Sequence, residues 1–140
     1  MDVKPAFLHG DLDKKIYMQQ PEGFMVPDKE NMVCKLTRSL YGLKQEPRQW
    51  YKKFDSFMIK SGFCKAKKDL CCYFKKYTDS YVFLLLYVDD MLIAGSSMRG
   101  INNLKTRLYA AFEMKDLGPA KQILGMRISR DRSASTFNIS

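Results

Sequence analysis

Two adjacent aspartates, Asp89 and Asp90, interrupt the most apolar stretch of the chain, SYVFLLLYVDDMLIAGSS at positions 80–97. Neighbouring carboxylates repel each other, and taking either out of water is costly unless a cation or hydrogen bonds compensate. A third carboxylate, Asp2, opens the segment MDVKPAFLHG near the start of the chain. Three carboxylates from two strand ends suit a divalent cation, because Mg²⁺ prefers a few carboxylates, several waters and substrate phosphates. Ordinary turn chemistry is the competing reading, since Asp tolerates left-handed backbone and bonds its own main chain. Against it, no Gly or Asn eases this turn, and both of its arms are apolar.

Elements must bring those carboxylates together. MDVKPAFLHG reads as a short strand entering a turn at His9-Gly10-Asp11, and KKIYMQQPEGFMVPDKENMVCKL as a hairpin-like insert punctuated by Pro21, Gly23 and Pro27. EPRQWYKKFDSFMIKSG predicts a helix: Trp50, Phe54, Phe57 and Met58 share one face, Pro47 suits the first turn and Gly62 the stop. Arg48, Lys52, Lys53 and Lys60 occupy its other face. Residues 71–77 and 81–88 read as strands, and MLIAG as the return arm of a hairpin whose tip is Asp89-Asp90. A second helix runs from about Gly100 to Phe112 with Ile101, Leu104, Leu108 and Phe112 inward, broken by Gly118-Pro119. KQILGMRIS is a last strand, and RDRSASTFNIS shows no clear periodicity. The order predicts an α+β layer, an antiparallel sheet backed by two helices, with Asp2 and Asp89 on neighbouring central strands.

Composition bounds the rest. At 140 residues and 46% hydrophobic, the chain is the size of one domain with a real core. Cys34, Cys64, Cys71 and Cys72 lack the paired spacing of a zinc site and read as reduced thiols. The longest apolar run, 81–88, falls far short of the roughly 18–20 residues that cross a bilayer, and no leader pattern opens the chain. The expectation is an intracellular protein, cytoplasmic or nuclear, with no membrane partner. The net charge of +9 is concentrated between Lys35 and Lys76, where twelve Lys or Arg face three acids. A polyanion partner or a merely soluble basic face fits that block.

YVDD at 87–90, MDVKPAFLHGDL at 1–12, IYMQQPEGF at 16–24, SLYGLKQEPRQWY at 39–51 and MKDLGPAKQILGMRI at 114–128 together resemble the reverse transcriptase of copia-type retrotransposons. The resemblance covers nearly the whole chain in order. It implies a ferredoxin-like polymerase palm over 1–129, incomplete at both ends, followed by a tail at 130–140. It also implies that Asp2, Asp89 and Asp90 are catalytic and hold two Mg²⁺ ions, with Mn²⁺ as a substitute. Asp89 would be the more direct ligand and Asp90 its support, because successive strand residues point to opposite faces. Phe7 falls where the family places a steric gate against the ribose 2′-hydroxyl; a core phenylalanine is the alternative. Gly42, Lys44 and Gln45 match the loop that positions nucleotide and template, and Tyr87 begins the YVDD motif. Lys115 or Lys121 resembles a lysine serving the leaving pyrophosphate; a solvated surface lysine is the alternative, favoured for either alone. Trp50 and Tyr51 could stack on bases, although the spacing of Trp50 favours the core.

The implied partners are an RNA or DNA template with its primer and deoxynucleoside triphosphates. The family's fingers, thumb and ribonuclease H regions have no counterpart in these residues. Two departures from the pattern suggest an impaired relic. Pro5 replaces a residue whose N–H would face the triphosphate, and Glu46 brings an acidic group beside the nucleic-acid path. A non-catalytic remnant that binds nucleic acid or protein, and another two-metal phosphoryl-transfer enzyme such as a cyclase or nuclease, are the alternatives.

Overall fold

The computed structural model describes residues 1–4, 6–131, 133–134 and 136–140; Pro5 lies outside them. The first half of the chain holds strands β1 (Asp2–Val3), β2 (Tyr17–Gln19) and β3 (Val33–Lys35), a 3-10 helix at Ala6–His9 and helix α1 (Glu46–Lys60). Strands β4 (Cys64–Lys65), β5 (Cys72–Lys76), β6 (Tyr81–Tyr87) and β7 (Asp90–Gly95) follow, then helix α2 (Met98–Ala111). β8 (Met114–Lys115), β9 (Gln122–Ile123), β10 (Met126–Asp131) and β11 (Thr136–Ile139) complete the described elements. The architecture is α+β, with antiparallel sheets and two helices. The chain divides into two compact units, residues 1–5 with 57–140, and residues 6–56.

The larger unit is built on a six-stranded sheet in the order β4-β5-β6-β7-β1-β8. Along β6, Val82, Leu84 and Leu86 are buried while Tyr81, Phe83 and Tyr87 are exposed, the period-2 alternation of a strand with one covered face. Tyr73, opposite Leu84, and Met91, opposite Leu86, extend the buried rows. Helix α2 lies against β6 and β7 and buries Leu104 and Leu108. Each such leucine gains about 1.5–3 kcal/mol on burial, so the helix is held mainly by its apolar face. Its N-terminus is capped by Ser97, whose hydroxyl accepts from the Gly100 N–H. The last turn of α1 ends beside α2: the rings of Phe57 and Phe112 meet edge-on at 5.1 Å. Gly62 takes φ +77°, while the Phe63 N–H reaches back to the Met58 carbonyl and the Gly62 N–H to that of Ile59. This is the glycine-terminated closure that the sequence anticipates.

Several boundaries differ from the sequence reading. The first strand is only Asp2–Val3, and the Phe7 segment is helical, not extended. The β6–β7 hairpin pairs Tyr87 with Asp90, so its two-residue tip is Val88-Asp89 and Asp90 begins the return strand. Helix α2 starts at Met98 and stops at Ala111, before Gly118-Pro119, because strand β8 intervenes. The tail contributes β11, which pairs with β10 from Ile128–Ile139 to Asp131–Thr136.

The smaller unit, residues 6–56, contains the β2–β3 hairpin and most of α1. Trp50 and Phe54 are buried, their rings 5.4 Å apart, so Trp50 belongs to the core. The Gln20 side chain organises the loop between β2 and β3, donating to the Lys29 and Met32 carbonyls and accepting from the Val26 N–H.

Candidate active site

Register places the carboxylates. In the larger unit Asp90 pairs with Tyr87 on one side and with Asp2 on the other, and Asp2 pairs in turn with Lys115. Directly opposed residues of antiparallel strands project from the same face, with Cβ atoms about 4.5–5.5 Å apart. One row therefore crosses β6, β7, β1 and β8 as Tyr87, Asp90, Asp2 and Lys115. Two acids stand side by side, flanked by an aromatic and a cation.

Asp89 belongs to the turn. Its carbonyl accepts from the Val3 N–H at 3.1 Å, which ties the hairpin tip to β1 beyond the Asp2–Asp90 pair. The ladder thus sets Asp90, rather than Asp89, directly opposite Asp2. Val88, the other tip residue, has φ +55°. A β-branched residue in this left-handed region is strained. The aspartates the sequence suspects of easing the turn do not carry that strain.

Asp2 and Asp89 are half-buried and Asp90 is exposed. Among the described residues no side chain donates to or pairs with any of the three carboxylates. No group of three or more His, Cys, Asp or Glu converges as a metal cluster among them either. Two carboxylates in one row nevertheless fit a hard divalent ion, which takes one or two protein carboxylates and completes its shell with water and phosphate.

Phe7, Gly42, Lys44 and Gln45 lie in the smaller unit. Phe7 is 9% exposed on the 3-10 helix and meets the ring of Tyr41 edge-on, with centroids 4.7 Å apart. Tyr41, absent from the sequence-based expectations, sits in a turn that the Leu43 N–H closes onto the Leu40 carbonyl at 3.3 Å. Gly42 supplies the φ of +97° this turn needs at its third position. The Tyr-Gly pair is the signal that would have placed Tyr41 at the turn's corner. Lys44 is exposed, and the Gln45 carbonyl accepts the Gln49 N–H as α1 begins.

Glu46 departs from expectation. It is 7% exposed, and its carboxylate turns back to accept the Leu43 N–H at 3.2 Å. An acid at a helix N-terminus is favoured by the helix dipole and the free N–H groups there. Glu46 thus braces the Tyr41-Gly42 turn instead of presenting an exposed charge. Elsewhere on α1, Lys52 and Lys53 pair with Asp13 and Asp11 at 3.7 and 3.4 Å, which partly neutralises the basic face. Asp13 also accepts from the Gln49 side-chain amide.

Of the two candidate lysines, Lys115 stands in the carboxylate row, whereas Lys121 precedes β9 in the three-stranded sheet β11-β10-β9. Ionisation adds one local detail. The Lys105 ammonium, 2.7 Å from Asp116, and the Gly118 N–H hold the Asp116 carboxyl below the usual carboxylate range.

Comparison with known proteins extends this picture. The family described as "Reverse transcriptase (RNA-dependent DNA polymerase)" matches residues 1–140. The retrovirus-related Pol polyprotein from transposon TNT 1-94 of Nicotiana tabacum is 59% identical over 96% of this chain, which spans 10% of that protein. The corresponding polyprotein from transposon RE1 of Arabidopsis thaliana is 38% identical over 93% of the chain, 9% of its own length. The putative transposon Ty5-1 protein of Saccharomyces cerevisiae is 36% identical over 91% of the chain, 42% of its length. No solved structure matches the chain. No helix among the described residues is long and apolar enough to cross a membrane.

Proposed function

The chain belongs to the reverse transcriptase (RNA-dependent DNA polymerase) family, and on that premise we propose that it is the ferredoxin-like palm segment of a copia-type retrotransposon polymerase, extending a primer 3′-hydroxyl on an RNA or DNA template with deoxynucleoside triphosphates. The observation that carries this reading is the row of Tyr87, Asp90, Asp2 and Lys115 across four strands.

Asp2 and Asp90 supply two acceptors on one face, and Asp89, one residue along the hairpin, is the third. These residues would hold Mg²⁺, two ions by family resemblance or Mn²⁺ in their place, which neutralises charge at the reacting phosphate and lowers the cost of deprotonating the primer hydroxyl. Lys115, beside Asp2, offers a proton and a positive charge to the departing pyrophosphate; its place in the row favours it over Lys121. Tyr87 flanks Asp90 on the side away from Asp2 and gives the primer terminus an aromatic surface. In the smaller unit Phe7 gates the sugar. Gly42, Lys44 and Gln45 form the loop that orients nucleotide and template, Lys44 contributing an exposed cation. Reverse transcription implies an intracellular site of action, cytoplasmic or nuclear.

The isolated chain should be impaired. It spans about a tenth of the tobacco relative, and orientation by the remainder of a polymerase can supply about 7–11 kcal/mol of barrier reduction. Primer extension tests this reading. The 140-residue chain alone should give little or no product. Fusion to the upstream segment of a related element should give extension that disappears in Asp89→Asn and Asp2→Asn. Extension by the chain alone near about 1 per second, inside the usual enzyme range, would refute the impairment. Extension by the fusion that survives Asp2→Asn would refute the catalytic assignment.

A further inference from the structure

We propose that Ser61, Gly62, Lys75 and Arg107 form a binding site for a single phosphate group, on the helix-covered side of the six-stranded sheet and apart from the carboxylate row. All four belong to the larger unit. The Ser61 carbonyl, in the turn that follows α1, accepts from the Lys75 ammonium at 2.9 Å and from the Arg107 guanidinium at 3.1 Å. Two cations thus converge on one neutral oxygen, and no acid pairs with either among the described residues. Capping accounts for part of this, since a cation beside the last carbonyls of a helix offsets its dipole. One cation is enough for that. A second brings like charges together, and a shared carbonyl engages only a single N–H of each group, leaving most of the guanidinium fork without a protein acceptor.

Two further features mark the same place. Ser61 is 4% exposed, and its hydroxyl has no hydrogen-bond partner among the described residues; a buried polar group left so calls for a ligand or ion. Gly62 is exposed, and the space its side chain would fill meets only the end of Lys75, with Nζ 3.1 Å from an ideal Cβ position. The ammonium therefore borders an open cradle. Phe63 and Tyr77 steady it there, their ring centroids 5.7 and 5.5 Å from Nζ. A guanidinium fork beside an ammonium point charge suits phosphate oxygens. A phosphate monoester carries about −1.5 to −2 at neutral pH and so balances both cations, where a carboxylate balances one. Lys75 pairs with buried Val82, whereas the carboxylate row crosses β6 at exposed Tyr87. Those positions are about 17 Å apart along the strand and on opposite faces.

The test is a magnetic resonance titration of the 140-residue chain with inorganic phosphate, read at backbone amides and at arginine Nε–H. Chelator and constant ionic strength remove any contribution from metal at the carboxylate row or from general screening. The Gly62 and Phe63 amides and the Arg107 Nε–H should shift together and saturate with a dissociation constant of about 1 mM or tighter. Arg107 is exposed, so Arg107→Gln should keep the amide spectrum of a folded chain while binding falls about tenfold or more, the effect of losing a charged donor. Arg107→Lys, which keeps the charge and loses the fork, should fall between the two.

Phenyl phosphate in place of inorganic phosphate distinguishes the source of the group. Comparable binding supports a site for phosphate carried on another molecule, and binding of inorganic phosphate alone supports a site for the free ion. Shifts that fail to saturate by about 20 mM phosphate, or that spread over the lysines of α1 instead, would overturn the proposal. So would saturable shifts that persist unchanged in folded Arg107→Gln and Lys75→Met, which would leave the two cations as a cap for α1.

Discussion

At the scale of single residues, the carboxylate row carries a cost. Like charges directly opposite each other in an antiparallel pair destabilise a sheet by a few tenths to about 1 kcal/mol, and Asp2 faces Asp90, with Lys115 opposite Asp2 on its other side offsetting part of that repulsion. Asp90→Asn, which leaves Lys115 opposite Asp2, should therefore raise unfolding stability by about 0.5 kcal/mol in chelator. In saturating Mg²⁺ the gain should vanish or reverse, because the native pair then binds a cation. Paired denaturant titrations check this, and a gain that ignores Mg²⁺ would detach the row from metal binding. The acids were legible in the sequence because water-avoiding neighbours made two adjacent charges anomalous. Which acid faces Asp2 was not legible, since it depends on a register that a dipeptide does not specify. Glu46 shows the same limit: its identity suggested repulsion of phosphate, and only its burial against the Leu43 N–H reveals a brace.

At the scale of elements, the β6–β7 hairpin explains that register. Setting Val82, Leu84 and Leu86 opposite Gly95, Ile93 and Met91 keeps the apolar rows on the helix-covered face, and a slip of one residue would turn them outward. Closing the hairpin in that register forces Val88 to φ +55°. The left-handed penalty is about 1–2 kcal/mol for a side chain with a Cβ. Glycine there adds about 0.5–1 kcal/mol of chain entropy to be lost on folding. Val88→Gly should thus be neutral to mildly stabilising, and a clear fall in melting temperature would show the turn to be unstrained. The helices were legible, α1 almost to the residue, because Trp50, Phe54 and Met58 repeat at helical spacing and Gly62 stops the run. β11 was not, because its residues gain meaning only when paired with β10. A second element-scale test concerns the tie between α2 and the turn after β8. The Lys105–Asp116 pair holds the Asp116 carboxyl below its ordinary range, so its contribution is complete above about pH 5 and is lost as pH falls through about 4 and below. Solvent screening keeps it near 0.5 kcal/mol. Lys105→Met should lower stability by that amount at about pH 6 and by nothing at about pH 2; an equal loss at both would assign the effect to packing.

At the scale of the whole molecule, five blocks of residues carried the family resemblance, and a family match across residues 1–140 agrees with them. The division into two units was not legible, because composition changes little at residues 6 and 56 and α1 runs through the second boundary. The central claim is that the row joining Asp90 to Asp2 is the metal-holding centre of a polymerase segment. Amide-resolved magnetic resonance of the native chain titrated with Mn²⁺, a paramagnetic substitute for Mg²⁺, tests it most directly. Broadening should centre on Asp2, Val3, Asp89, Asp90 and Lys115, reverse with excess Mg²⁺, and disappear in the Asp2→Asn/Asp90→Asn double variant. Broadening centred on another acidic stretch, such as Asp11 and Asp13 or Asp28 and Glu30, or unchanged in the double variant, would contradict it.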